Sequence, residues 1–252
     1  MWHKPQLLTA IADLLLLVGV AVVVAGGLLW ASRLPFFPLR EVVITEPLRE
    51  TRRAEIEHAL AGLVRGNFFS VRPEQVRQAL EQLPWVRRAE VRRQWPSRLE
   101  IRIEEHRAVA RWGEGLAQLV NSHGEVFYGA TRNLPTPVLV GPTGSAPEVL
   151  QRYNDFARVL VPTGRTPSQV ALSPRLAWRI RLDDGMAIEL GREQPKTPVL
   201  ARLERFVAVY PEAIAARATH PAEVDLRYPN GFALRLAALG APAGGPELRG
   251  NP

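Results

Sequence analysis

An α+β protein suspended from one N-terminal membrane-spanning helix is the fold class the sequence predicts, and three observations predict it. Leu14–Ala31 (LLLLVGVAVVVAGGLLWA) runs eighteen residues without a charge. Over about the next seventy residues the periodicities read strand, helix, helix, strand, strand. Beyond residue 107, short alternating segments separated by turn residues outnumber helical ones.

The apolar run comes first. At about 1.5 Å per residue it spans roughly 27 Å, close to the thickness of a hydrocarbon core. Trp30 stands where an interfacial aromatic belongs. The run is longer than the apolar region of a signal peptide, and WASRLPF after it carries no small-residue cleavage site. We assign residues 1–6 as a short tail, 7–31 as the span and 32–38 as a Pro-rich link. His3 and Lys4 precede the span while Arg33 and Arg40 follow it, so charge alone leaves its orientation open.

Leu39–Glu46 (LREVVITE) is β-branched and predicts a strand. Thr51 is placed to cap a helix over 52–64, in which Ile56, Ala59, Leu60 and Leu63 share one face. Pro73 suits the first turn of a second helix, where Val76, Ala79, Leu80 and Leu83 repeat the spacing until Pro84 stops it. Val86–Trp95 predicts a strand, Pro96-Ser97 a turn, and Leu99, Ile101 and Ile103 alternate with charges in the next strand. Three strands with two helices on one face make a small α+β layer over 39–107.

Residues 108–236 are richer in strand signals. Leu116–Val120 and Glu125–Tyr128 flank a hairpin turn at 121–124. Pro135–Val140 predicts a short strand and Pro147–Leu160 a helix. Trp178–Leu182 and Met186–Leu190 flank Asp183-Asp184-Gly185, a tight-turn signature. Thr197–Tyr210 predicts a helix with Leu200, Leu203, Phe206 and Val207 inward. Val224–Tyr228 and Phe232–Leu236 flank Pro229-Asn230-Gly231. Residues 237–252, rich in Gly and Pro and without periodicity, predict a disordered tail.

Composition narrows the chemistry. With no cysteine among 252 residues, disulfides and thiolate catalysis are excluded. Phosphate loops, dinucleotide fingerprints and HExxH are absent, and the five histidines are scattered. Asp183-Asp184 sits at a hairpin tip, where Asp serves local backbone bonding. No cofactor, metal or small-molecule substrate is expected, and no enzyme. The net charge of +7 is densest from Arg87 to Arg107, with Glu90, Glu100, Glu104 and Glu105 interleaved. Solvated strand faces with cross-strand ion pairs, a protein-docking face and an anionic lipid contact all fit that pattern. An extracytoplasmic site would leave no nucleic acid to bind.

The strand-helix-helix-strand-strand order resembles the POTRA domain, an extracytoplasmic protein-docking module. Five segments extend the likeness: LPWVRRAEVRRQWP (83–96), ARWG (110–113), GPTGSAPEVL (141–150), LERFVAVYP (203–211) and EVDLRYPNGFALRL (223–236). In their order and spacing, with the apolar span, they resemble the FtsQ/DivIB family of bacterial cell-division proteins over roughly residues 7–236.

That resemblance implies a bitopic protein of the inner membrane at the division septum, with a cytoplasmic N-terminus and periplasmic POTRA and β domains. It implies a non-enzymatic divisome scaffold that joins early division proteins to FtsB and FtsL and so influences septal peptidoglycan synthesis. FtsB binding is implied on the last β strand, here Val224–Leu236, with Arg227, Tyr228, Asn230, Gly231, Phe232 and Leu236 as contacts and Arg175 as a second arginine. Asn230 stands where the family can carry a small hydroxyl residue, and Leu236 where it can carry a Trp. Recruitment of upstream partners such as FtsK is implied on the second POTRA strand, at Arg88, Val91 and Arg93. The alternative is a POTRA-bearing part of another envelope assembly or transport system, which would call for a long barrel-forming C-terminus.

Overall fold

The computed structural model describes residues 5–32, 38–64, 67–113, 115, 117–129, 137–211, 221–228 and 231–236. The link at 33–37, the tail at 237–252 and Asn230 therefore lie outside the described residues. Helix α1 (Pro5–Ser32) carries the apolar run, and its segment Thr9–Gly27 has a mean hydropathy of 2.4. It is long and apolar enough to cross a membrane. By its contacts the chain divides at His106/Arg107 into two units, the first of which includes α1.

In the first unit, β1 (Glu41–Ile44) is followed by α2 (Arg53–Leu60), α3 (Pro73–Glu81), β2 (Val86–Gln94) and β3 (Arg98–Glu105). The sheet order is β1-β3-β2, with β1 parallel and β2 antiparallel to the central β3. The helical stripes do what their spacing requires. Ile56 and Leu60 from α2, and Val76 and Leu80 from α3, are buried against Leu99, Ile101 and Ile103. The expected cap at Thr51 is instead Arg52, and Glu55 reaches back to the Arg52 N–H at 3.3 Å. Thr51 is buried, and its own N–H donates to Glu105 at 2.7 Å. The helix expected to reach residue 64 stops at Leu60, because Gly62 takes a left-handed φ of 92° that reverses the chain.

The second unit is one nine-stranded sheet. Its strands are β4 (Ala108–Trp112), β5 (Gln118–Asn121), β6 (Val126–Tyr128), β7 (Val138–Val140), β8 (Pro167–Leu172), β9 (Ala177–Leu182), β10 (Ala187–Arg192), β11 (Pro221–Asp225) and β12 (Ala233–Leu236). Their order across the sheet is β12-β11-β10-β9-β8-β7-β4-β5-β6. Helix α4 (Ala146–Leu160) lies over β7 and β8, α5 (Val199–Tyr210) lies over β10, and the two helices pack against each other. The sheet thus has one helix-covered face, where Phe156, Leu160, Leu203 and Phe206 meet Val170, Ile180, Ile188 and Val224. Phe156 and the buried Trp178 stack edge to face at 5.8 Å.

Two strands escape the sequence reading. β4 (AVARW) and β8 (PSQVAL) lie inside the sheet, with a partner strand on each side, and each breaks the alternation with polar or small residues. The α+β class, the N-terminal apolar helix and the β-rich C-terminal region stand as the sequence predicts.

Candidate protein-docking edges

The C-terminal hairpin closes one end of the large sheet. β11 pairs parallel to β10 through Ala187↔Glu223, Ile188↔Val224 and Glu189↔Asp225. On its other side β12 runs antiparallel, with Val224↔Leu234 and Asp225↔Ala233. Among the described residues no strand pairs with the outer side of β12, so its outward N–H and C=O groups form an open edge. Val224 and Leu226 hold the hairpin in the core, and Arg235 pairs outside with Glu223 at 3.0 Å.

The strand expected over Val224–Tyr228 ends at Asp225. The Leu226 N–H still donates to the Glu189 carbonyl at 2.8 Å. Asp225 then accepts the Arg227 N–H at 3.0 Å, a local turn at the end of the strand. Arg227 and Tyr228 consequently lie just past the strand, at its end. The Arg227 guanidinium grips the same carboxylate, Nε at 2.9 and 3.0 Å and Nη2 at 2.5 Å. That contact holds the Asp225 carboxyl below its ordinary range and raises the guanidinium further. Tyr228 is 55% exposed and Leu236 53% exposed. Phe232 is half-buried and meets Phe206 edge to face at 5.8 Å. Beside it a shallow groove of about 160 Å³ is lined by Arg205, Phe206, Val209, Leu226, Gly231 and Phe232.

Arg175 occupies the exposed turn between β8 and β9. Because β9 starts where β10 and β11 finish, that turn lies at the same end of the sheet as Arg227 and Tyr228. The fold thus collects Arg175, Arg192, Arg227 and Tyr228 at one end, though they are far apart in sequence.

Underneath sits a residue the sequence reading passed over. Arg202 of α5 is 2% exposed, yet its guanidinium has no carboxylate partner in the hydrogen-bond pattern. It donates instead to three backbone carbonyls, those of Leu190, Arg192 and Thr197, the last at 3.0 Å. Burial draws its pKa down, as expected for a cation out of water. The carbonyls of Leu190 and Arg192 flank Gly191, where the β10 register slips and φ is 74°. A Cβ on Gly191 would approach Arg227 Cγ to 2.9 Å. The bulge is thus the seat over which the Arg227 stem lies. Two signals mark the arrangement: a glycine inside a strand pattern, and a charge on the buried stripe Val199, Arg202, Leu203, Phe206.

In the small sheet, β2 is an edge strand. Arg88 is exposed and stands opposite Glu104, whereas Val91 packs against the core. Arg93 donates from Nη2 to the Val71 carbonyl at 2.5 Å. By strand alternation Arg88 falls on the face opposite Val91 and Arg93, so the three share an edge rather than a face. The Glu81 carboxylate covers one edge amide, accepting from the Ala89 N–H at 3.2 Å.

The other candidates for chemistry have local roles. Asp184 accepts the Met186 N–H at 3.0 Å and Asp183 accepts from the Thr166 hydroxyl at 3.2 Å, both shaping turns. Among the described residues no group of acids and histidines is placed to hold a metal ion.

Residues 37–106 match the family model "POTRA domain, FtsQ-type", and residues 110–227 match "Cell division protein FtsQ/DivIB, C-terminal". The chain is 39% identical over 241 residues to the cell division protein FtsQ of Burkholderia pseudomallei, covering 95% of this chain and 96% of that protein. It is 36% identical over 261 residues to FtsQ of Bordetella pertussis, covering 95% and 94%. With FtsQ of Shewanella oneidensis the identity is 40% over 200 residues, covering 78% and 73%. With both units matched and such identity along nearly its whole length, the chain belongs to the FtsQ family of cell division proteins.

Proposed function

We propose that this protein is a non-enzymatic scaffold of the divisome, anchored once in the bacterial inner membrane by α1. Its N-terminus lies in the cytoplasm, and its POTRA unit (39–107) and β unit (108–236) lie in the periplasm at the septum. It joins early division proteins to FtsB and FtsL and, through them, influences septal peptidoglycan synthesis. The observation that carries this reading is the open outer side of β12, with Arg227 and Tyr228 just past its partner strand β11 and Arg175 at the same end of the sheet on the β8–β9 turn. An extended FtsB segment adds there as a further strand, with main-chain bonds giving affinity and the flanking side chains giving choice. Gly231 and Phe232 ahead of β12, Leu236 at its end, and Asn230 complete the contacts proposed for it. The two arginines attract carboxylates of an acidic partner segment. The edge strand β2, with Arg88, Val91 and Arg93, receives upstream partners such as FtsK.

The test is titration of the chain with an FtsB peptide. Tyr228→Ala is expected to weaken binding, and Arg227→Glu to weaken it by about tenfold or more, roughly 1.4 kcal/mol per decade. Both variants should keep the circular dichroism of the parent, since neither side chain is in the core. Unchanged affinity in both would remove the β12 edge from the reading.

A further inference from the structure

One end of the POTRA unit carries a pattern of which partner docking on β2 takes only Arg93. Three segments meet there. Pro38 bridges to Asn67, the Arg40 N–H donates to the Ser97 carbonyl at 3.0 Å, and Arg93 reaches the Val71 carbonyl. Residues 38–40, 67–72 and 92–98 (PLR, NFFSVR and RRQWPSR) are thus neighbours. Together they hold five arginines and no acidic residue. Arg40, Arg72, Arg92, Arg93 and Arg98 are all exposed. Glu41 pairs with Arg98 at 2.6 Å and Glu90 with Arg92 at 3.4 Å, which leaves three positive charges in excess.

Set among these arginines are two exposed aromatic side chains. Trp95, at the tip of the β2–β3 hairpin, is 74% exposed, and Phe69 is 46% exposed. A solvent-facing Trp on a hairpin tip gains nothing from the fold it belongs to. Aromatic rings flanked by Arg are the composition that settles at a bilayer interface, where the ring enters the headgroup layer and the guanidinium meets phosphate.

Chain geometry decides what lies opposite. Six residue steps separate Ser32, the last residue of α1, from Pro38. Fully extended they reach at most about 22 Å. This end of the POTRA unit therefore cannot leave the neighbourhood of the bilayer that α1 spans, and anionic headgroups there are within a few Debye lengths.

We infer that this end of the POTRA unit is a membrane-docking surface. Trp95 and Phe69 insert at the interface, and Arg40, Arg72, Arg92, Arg93 and Arg98 bind anionic phospholipid headgroups of the membrane that holds α1. The inference rests on α1 lying in that membrane and is independent of FtsB binding.

The absence of cysteine allows single spin labels on the full chain. Gln94→Cys reports on the docking end, Gln82→Cys on the opposite end of the unit, and Val20→Cys on α1. Each labelled chain is reconstituted in nanodiscs of phosphatidylglycerol with phosphatidylethanolamine, or of phosphatidylcholine alone. Collision of the label with oxygen against a water-soluble nickel complex is then measured. The expected result is lipid access at 20 in both bilayers, water access at 82 in both, and interfacial access at 94 only in the anionic one. Trp95→Ser and Arg98→Glu should each return position 94 to water without altering the other two. Water access at 94 in anionic nanodiscs, with position 20 in lipid, overturns the docking surface alone. Water access at 20 overturns the anchor and the inference with it. Interfacial access at 94 that ignores lipid charge overturns the role given to the arginines, and added partner protein being required for it would make the surface a protein contact instead.

Discussion

Replacing Arg202 by Met removes the three-way clamp under the β10 bulge while keeping the volume of the side chain. The cost follows from what is left behind. The bond to Leu190 lies in the buried core, and its carbonyl loses the only donor that reaches it from α5. An orphaned buried acceptor costs about 1–3 kcal/mol. The Arg192 and Thr197 carbonyls lie nearer the surface, where water replaces the lost donors at a few tenths of a kcal/mol each. Met in turn avoids the desolvation of a buried guanidinium, which offsets part of the loss. The balance is a destabilisation of roughly 2 kcal/mol, or a fall of about 4–8 °C in Tm for a unit of this size. Urea unfolding followed by hydrogen exchange in the segment 186–206 measures it without interference from the POTRA unit. Arg202→Lys should be nearly as destabilising, since one ammonium cannot reach three divergent carbonyls. A Lys variant as stable as the parent, or a Met variant within a few tenths of a kcal/mol of it, would refute the clamp.

Three further outcomes follow from the same geometry. Gly191→Ala places a Cβ at φ 74° and 2.9 Å from Arg227 Cγ, so we expect about 1–2 kcal/mol of destabilisation. Its effect on FtsB-peptide affinity should vanish when Arg227 is already Ala, which a double-mutant cycle reads directly. Glu105 accepts the N–H groups of Arg49 and Thr51, each at 2.7 Å, and of Glu50 at 3.2 Å. Burial pushes its carboxyl up, but these bonds outweigh it and hold the pKa below the ordinary carboxyl range. A depressed carboxyl stabilises the fold above its unfolded value and loses that contribution as pH drops through the folded one. Acid unfolding of the POTRA unit should therefore steepen below about pH 4.5, and Glu105→Gln should flatten that limb while costing about 1–2 kcal/mol at neutral pH. Finally, Tyr228→Ala should leave the unfolding free energy of the β unit in urea within about 0.5 kcal/mol of the parent, because its side chain is exposed.

Much of the fold is legible because period and burial agree. Val76 and Leu80, four residues apart, are both fully buried, and Leu99, Ile101 and Ile103 alternate with charges in a strand that buries one face. What escapes is set by pairing. AVARW and PSQVAL become strands only because neighbours on both sides claim their backbone, and no side-chain period announces that. The same applies to the end of β11: Asp225 takes the N–H two residues on, a choice made by one carboxylate. Of the proposed docking site, Arg227, Tyr228 and Phe232 are implied by family likeness, but their place at the same end of the sheet as Arg175 depends on the parallel pairing of β10 with β11. Arg202 was visible as a charge within an apolar stripe. Its partners were not, because backbone carbonyls carry no residue name.

An open strand edge is hazardous unless something limits what adds to it. β12 is only four residues long, and Arg235 with its Glu223 partner puts charge on its surface, so a second copy gains little by pairing there. Main-chain bonds, however, are the same for any extended peptide, and discrimination has to come from the ends of the strand. There Arg227 is already engaged by Asp225. An acidic partner on the proposed reading must share that guanidinium or displace its carboxylate, so the attraction realised on binding is smaller than for an unengaged arginine. Removing the side chain and reversing its charge should then differ. Arg227→Ala exposes the Asp225 carboxylate to the incoming acid, whereas Arg227→Glu sets two carboxylates side by side against it and adds a second repulsion. Affinity should fall in that order, and the Arg227→Glu loss should shrink at high salt while the Tyr228→Ala loss persists. On the proposed reading the arginine thus serves less to strengthen the complex than to keep the Asp225 carboxylate from rejecting it.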